Sequence, residues 1–311
     1  MTTLLITQPE DFRHDTPAGH PENPRRMEAV RAALDAPAFS ALTREVAAPA
    51  DESEALRCHP ARYLDRLRAA LPEAGTHALD ADTHVSPGSL DTALAGVGAA
   101  TRAVDAVLAG AAGNAFCAIR PPGHHAEAEK PMGFCLLGNA AIAAKRALDH
   151  HGLDRVAVVD FDVHHGNGTQ ALLWDEPRAR FVSSHQMPLW PGTGAPEERG
   201  AHDTILNLPL EPGAGGAQFR ALWEREALPM LERFAPELVI ISAGFDAHRA
   251  DPLAQLELGL EDFTWITGRL CDLADAHCAG RVVSLLEGGY DLDTLAACVA
   301  AHVESLMERS R

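Results

Sequence analysis

Residues 155–170 read RVAVVDFDVHHGNGTQ, a run that begins as a buried strand and ends as a cluster of acids and imidazoles. Arg155 to Val159 is β-branched and apolar, the pattern of a strand covered on both faces, and two glycines close the polar part that follows it. A buried strand is therefore carrying polar groups to its C-terminal end. With side chains alternating along an extended chain, Asp160, Asp162 and His164 are expected on one side, provided the backbone stays extended through Val163. Unpaired carboxylates inside a protein are costly, so this grouping predicts a metal site.

The same alternation of apolar run and polar turn extends in both directions. Strands are expected at Thr2–Thr7, Thr43–Ala47, Asn114–Ile119, Arg155–Phe161, Arg180–His185, Thr204–Leu208, Leu238–Ser242 and Arg281–Leu286. Helical patterns lie between them, among them Leu90–Ala112, Asn139–His150, Thr169–Trp174, Gly216–Phe234, Asp262–His277 and Leu292–Glu308. In HPENPRR, Asn23 is expected to cap a helix that has Pro24 in its first turn. Repeated βα units imply an α/β fold with one mostly parallel sheet of about eight strands and helices on both faces. Without internal repeats, low-complexity tracts or a linker, residues 1–311 are expected to form a single domain.

Composition narrows the function. Lys and Arg number 26 against 44 Asp and Glu, a formal charge of −18 that argues against electrostatic binding of nucleic acid or anionic lipid. The N-terminal apolar run is too short for a secretory leader, and the apolar stretch 90–119 is broken by Asp91, Arg102 and Asp105. A soluble, cytoplasmic protein is expected, away from membranes. Its six cysteines form no C-x-x-C pair, so reduced, mostly buried thiols are the default. No oligomeric state is read from the chain.

Ligands of open parallel sheets bind outside the C-terminal strand ends, where GHH, DFDVHHGNG, SSHQ, AGFDAH and EGGY all fall. Asp246 follows a strand directly and can complete a site with Asp162 and His164, leaving a coordination position open, as in a catalytic site. Zinc suits this mixed oxygen and nitrogen set, and iron, cobalt or manganese are compatible with it. Water activated for attack needs a base, a task suited to one of the adjacent imidazoles of His124 and His125. Asp160 and Asn167 are candidates to fix their tautomers. Tyr290, after Gly288 and Gly289, reads equally well as an oxyanion donor and as an aromatic packed at the start of a helix.

The segments RPPGHHA, PMGFC, DFDVHHGNGTQ, PGTG, AGFDAH and LEGGY, in this order, resemble the histone deacetylase superfamily, which includes acetylpolyamine amidohydrolases. The resemblance runs from about Thr7 to the last helix, and HPENPRR with Asn167 resembles the class II branch and its bacterial relatives. It implies an arginase-deacetylase fold and zinc-dependent hydrolysis of an N-acyl amine such as acetyl-lysine. Asp162, His164 and Asp246 would hold one zinc per chain. His125 with Asn167 would serve as base and then acid, His124 with Asp160 would give electrostatic support, and Tyr290 would polarise the acyl carbonyl. Gly133, Phe134, Trp190 and Gly289 would contact the substrate in a narrow acyl channel. A structural potassium ion would sit near Asp160, Asp162, His164, Ser183 and Ser184.

Trp190 stands where many relatives carry phenylalanine, which bears on the acyl chains that fit. An acetylpolyamine or small N-acyl metabolite is the alternative substrate, although no insertion builds the restricted entrance of the polyamine enzymes. A binuclear manganese ureohydrolase would need a D-x-H-x-D arrangement, and here Gly166 stands where its second aspartate belongs. A non-catalytic sensor of acylated ligands is disfavoured because every catalytic position is filled.

Overall fold

The computed structural model describes residues 2–9 and 13–310. Met1, Glu10–Phe12 and Arg311, which belong to the N-terminal stretch and to the ends of the single-domain span read above, lie outside the described residues.

Eight strands form one sheet: β1 (Thr3–Thr7), β2 (Thr43–Val46), β5 (Asn114–Ala118), β6 (Val156–Asp160), β7 (Ala179–Gln186), β8 (Ile205–Leu210), β9 (Leu238–Ala243) and β10 (Val282–Leu286). Between β2 and β5, β3 (His77–Ala78) and β4 (His84–Val85) make a small antiparallel hairpin. The order across the sheet is β2-β1-β5-β10-β9-β6-β7-β8, and every pairing in it is parallel. Parallel neighbours require crossovers, and helices supply them on both faces.

Alternation along the strands separates two cores. On β6, Val156 and Val158 pack under α4 (Ser89–Leu108) and α5 (Asn139–Asp149), while Ala157 and Val159, together with Phe161 just past the strand, face the opposite layer. That layer holds α1 (Arg25–Leu34), α9 (Leu260–Cys278) and α10 (Leu292–Glu308). Ile240 and Ile241, neighbours on β9, are fully buried in opposite cores, each worth about 1.5–3 kcal/mol of burial. Short helices complete the fold: α2 (Glu52–Ala55), α3 (Ala61–Ala70) and α6 (Asn167–Leu173). The helix expected over 216–234 is α7 (Gly216–Leu222) and α8 (Leu228–Phe234), joined by a π-helical turn at Trp223–Ala227. The helix α1 begins one residue later than expected, with Pro24 rather than Asn23 at its N-cap, and Asn23 Oδ1 accepts the N–H of Arg25 from just outside it. No helix among the described residues is long and apolar enough to cross a membrane.

Candidate active site

Four consecutive strands in the middle of the sheet, β5, β10, β9 and β6, end side by side. The turns after them carry His124 and His125, Glu287–Tyr290, Asp246, and Asp162–Asn167 respectively.

β6 stops at Asp160, so the extended path through Val163 is not taken. The chain turns instead: Asp160 Oδ1 accepts the N–H of Asp162 at 3.0 Å, and Asp162 Oδ1 accepts that of His164 at 2.9 Å. Asp160 therefore leaves the common face expected for it and meets His124. Asp162 and His164 converge with Asp246, whose Oδ1 takes the N–H of Val163 at 2.9 Å. One potential ligand atom from each of the three lies within 4.8 Å of the others, and all three residues are buried. Gly244 and Gly288 line this space; a Cβ on Gly244 would stand 2.1 Å from Asp162 Oδ2.

The donor set fits a divalent cation. His164 Nδ1 lies 3.2 Å from Asp162 Oδ1 and 3.1 Å from Asp246 Oδ2. Burial opposes charge on this imidazole, but its hydrogen bonds to the two carboxylates push its pKa up to about 10. A divalent ion gives the same carboxylates a stronger partner and would replace that proton.

The two histidines after β5 lie 3.9 Å apart, ring centre to ring centre, and are driven in opposite directions. For His124, burial opposes protonation, yet Asp162 and Asp160 outweigh it and hold the pKa well above the usual value; Nδ1 sits 2.9 Å from Asp160 Oδ2. For His125, burial and the neighbouring His124 and His164 hold it well below; its Nδ1 sits 2.8 Å from Asn167 Oδ1. An amide oxygen requires a proton on Nδ1 and leaves Nε2 as the free lone pair. The carboxylates thus favour the charged form of His124, while burial favours the neutral form of His125 with Nε2 free to take a proton, a division suited to acid–base chemistry.

Tyr290 is reached through Gly288, whose N–H donates to Asp162 Oδ2 at 2.9 Å, and Gly289 at φ +121°. The phenol ring is covered by the Arg26 guanidinium at 5.1 Å and meets Phe134 edge-on at 5.8 Å. Burial, followed by Asp246, holds its pKa well above 10, so it stays a hydrogen-bond donor. Gly133 and Phe134 both adopt left-handed backbone, at φ +56° and +69°; for a phenylalanine this is a strained conformation of the kind found at working sites. Trp190 faces them, edge-on to His125 at 4.7 Å, with its Cη2 2.5 Å from where a Gly133 Cβ would be. On the neighbouring strand β7, Ser183 Oγ lies 3.0 Å from His185 Nδ1, while Ser184 Oγ is buried without a hydrogen-bond partner.

Several contributors had no assigned role in the sequence reading. Glu287, the acid of EGGY, accepts the N–H groups of Gly123 and His124 and the hydroxyl of Ser242. Arg26, from HPENPRR, donates through Nε to Gly289 O and through Nη2 to Glu287 O, while Glu22 pairs with both Arg26 and Arg120. Their motifs were visible. Their targets, backbone carbonyls some 260 residues away, were not.

The sheet order and the loaded rim define an α/β protein with a candidate site for a divalent cation beside paired imidazoles. A sequence profile of the histone deacetylase domain matches residues 20–306. An uncharacterised protein of Synechocystis sp. PCC 6803 is 44% identical over 97% of this chain and 99% of its own length. A histone deacetylase-like amidohydrolase of Pseudomonas aeruginosa is 42% identical over 93% of this chain and 77% of its own. The crystal structure of the HDA15 HD domain superposes with a TM-score of 0.91 at 31% identity, covering 98% of this chain and 89% of that one. The chain belongs to the histone deacetylase family and has its arginase-deacetylase fold. It is accordingly a hydrolase of the deacetylase and amidohydrolase class.

Proposed function

We propose that this chain, acting as one catalytic domain in the cytoplasm, is a zinc-dependent deacetylase that removes an acetyl or other short acyl group from an N-acylated amine such as acetyl-lysine. The observation that carries the proposal is the His124–His125 pair, one imidazole hydrogen-bonded to Asp160 and the other to Asn167, beside a buried triad of potential metal ligands.

Asp162, His164 and Asp246 would hold the zinc, which supplies Lewis acidity toward the acyl carbonyl and lowers the pKa of water. His125, held through Nδ1 by Asn167, takes the proton of the attacking water on Nε2 and delivers it to the departing nitrogen. That delivery is required, because an amine leaves poorly as an anion. His124, hydrogen-bonded through Nδ1 to Asp160, stabilises negative charge as it develops. The Tyr290 hydroxyl donates to the carbonyl oxygen as it becomes an oxyanion. Gly133, Phe134, Trp190 and Gly289 enclose the acyl group and exclude bulk water. A potassium ion at Asp160, Asp162, His164, Ser183 and Ser184 is supported by the buried Ser184 hydroxyl that has no protein partner.

An acetylated polyamine is the second reading. It is favoured by Asp80 and Asp82 beside the Phe134 wall, where Thr83 links Asp82 to the Phe134 N–H, and by the net charge of −18. The test is a turnover panel of acyl-lysine peptides, acetylated polyamines and small N-acyl metabolites with zinc-loaded protein. Acetyl-lysine peptides are expected to turn over fastest, with activity abolished by chelation and restored by zinc. A higher kcat/KM on acetylspermidine would move the assignment to polyamines. No turnover on any amide would overturn it.

A further inference from the structure

The segment that presents Tyr290 contains two successive glycines, and such a chain has conformational freedom that an oxyanion donor cannot use. Its backbone is tied down from two sides. On the N-terminal side, Arg26 holds the carbonyls of Glu287 and Gly289, and the Gly288 carbonyl takes the N–H of Phe245 at 3.1 Å. On the C-terminal side, one carboxylate does the holding. Asp251 Oδ2 accepts the N–H of Tyr290 at 2.7 Å and approaches that of Asp291 at 3.4 Å.

Asp251 is itself firmly placed. It is 7% exposed, its Oδ1 accepts the N–H of Leu253 at 3.0 Å, and its own N–H donates to His248 O at 2.9 Å. It lies on the loop after β9 that also carries Asp246, five residues earlier. The carboxylate therefore joins the loop bearing one metal-ligand candidate to the arm bearing the phenol. A neutral hydrophobic residue there would leave two N–H groups of the arm without a protein acceptor.

We propose that Asp251 is the positioning residue for Tyr290: by gripping the arm at the Tyr290 N–H, it sets the distance between the phenol and the acyl carbonyl. The inference rests on the role given above to Tyr290, and it separates Asp251 from a purely structural acid, which would act on stability or on the metal whether or not the phenol is present.

The experiment is a double-mutant cycle with zinc-loaded Asp251→Ala, Tyr290→Phe and the combined variant, measuring kcat and KM on an acetyl-lysine peptide along with zinc content. Asp251→Ala is expected to lower kcat about 10- to 100-fold, with KM changed by less than about threefold and zinc retained. In the Tyr290→Phe background the same change should cost less than about twofold, because the group it positions is already gone. Asp251→Val, closer to aspartate in volume, likewise removes both acceptor oxygens. It carries the same test should Asp251→Ala not fold, with the same outcomes deciding. Full kcat in the Asp251 variant, or losses that multiply in the combined variant, overturns the inference. Wild-type turnover in Tyr290→Phe alone would instead overturn the role of the phenol.

Discussion

Gly288→Ala tests the proposed metal centre without replacing a candidate ligand. A Cβ at this position would stand 2.3 Å from Asp246 Oδ2 and 2.5 Å from Asp162 Oδ2. Carbon and oxygen atoms rest at about 3.3 Å or more, so both carboxylates must retreat by roughly 0.8–1 Å. They are poorly placed to do so. Asp246 is held through Oδ1 by Val163, and Asp162 Oδ2 accepts the N–H of residue 288 itself. Coordination distances tolerate displacements of only about 0.2 Å, so zinc affinity is expected to fall by about 100-fold. Overpacking should lower stability by about 1–3 kcal/mol, leaving a folded protein to measure. The assay is a competition titration against a chromogenic chelator, followed by turnover at saturating zinc. As a control, Gly268→Ala on α9 meets only Arg309 Nη2 at 3.8 Å and should raise stability by about 0.5–1 kcal/mol with zinc affinity unchanged. A Gly288→Ala protein binding zinc within about threefold of wild type would show that the carboxylates do not hold the metal from this wall.

Three further outcomes are expected. Tyr290→Phe should lower kcat on an acetyl-lysine peptide by about two to three orders of magnitude with zinc retained, and unchanged kcat would remove the phenol from the reaction. Trp190→Phe removes the part of the indole that lies against Gly133, so kcat/KM for butyryl- relative to acetyl-lysine should rise about tenfold; an unchanged ratio would take Trp190 out of the acyl wall. His302 lies fully buried, its ring nitrogens 2.7 Å from the Thr267 hydroxyl and 2.8 Å from that of Ser284, and burial lowers its pKa to about 3. Between this value and an unfolded value of about 6.5, only the unfolded chain takes up the proton, so the stability from a neutral His302 is full above that window and is lost as pH falls through it. Urea unfolding of His302→Gln and wild type should therefore converge by about 2 kcal/mol between pH 6.5 and pH 5, and parallel curves would refute this.

The strands were legible because each is a short apolar run ending abruptly in charge or glycine, and a parallel sheet buried on both faces leaves that mark. The β3–β4 hairpin was not, since two-residue strands have no periodicity to read. The π-helical turn at Trp223–Ala227 also escaped, because it shifts register without interrupting the apolar pattern. In the site, the close spacing of Asp162 and His164 made them readable, whereas the same alternation rule misplaced Asp160 once the strand ended early. Arg26 and Asp251 were opaque for another reason. Each acts on backbone atoms, which carry no residue identity, and only the folded topology brings those atoms within reach.

The position of β10 has a consequence for biosynthesis. It is the eighth of the sheet strands in chain order, yet it lies in the middle, between β5 and β9. Until residues 282–286 leave the ribosome, the strands made earlier remain two separate slabs, each with an unpaired hydrophobic margin that invites intermolecular pairing. Closure of the seam would then unite the His124–His125 turn with the turns bearing Asp162 and Asp246, so a nascent polypeptide gains its chemistry in a single late step. Premature termination ahead of this seam should yield insoluble material rather than a weakened enzyme.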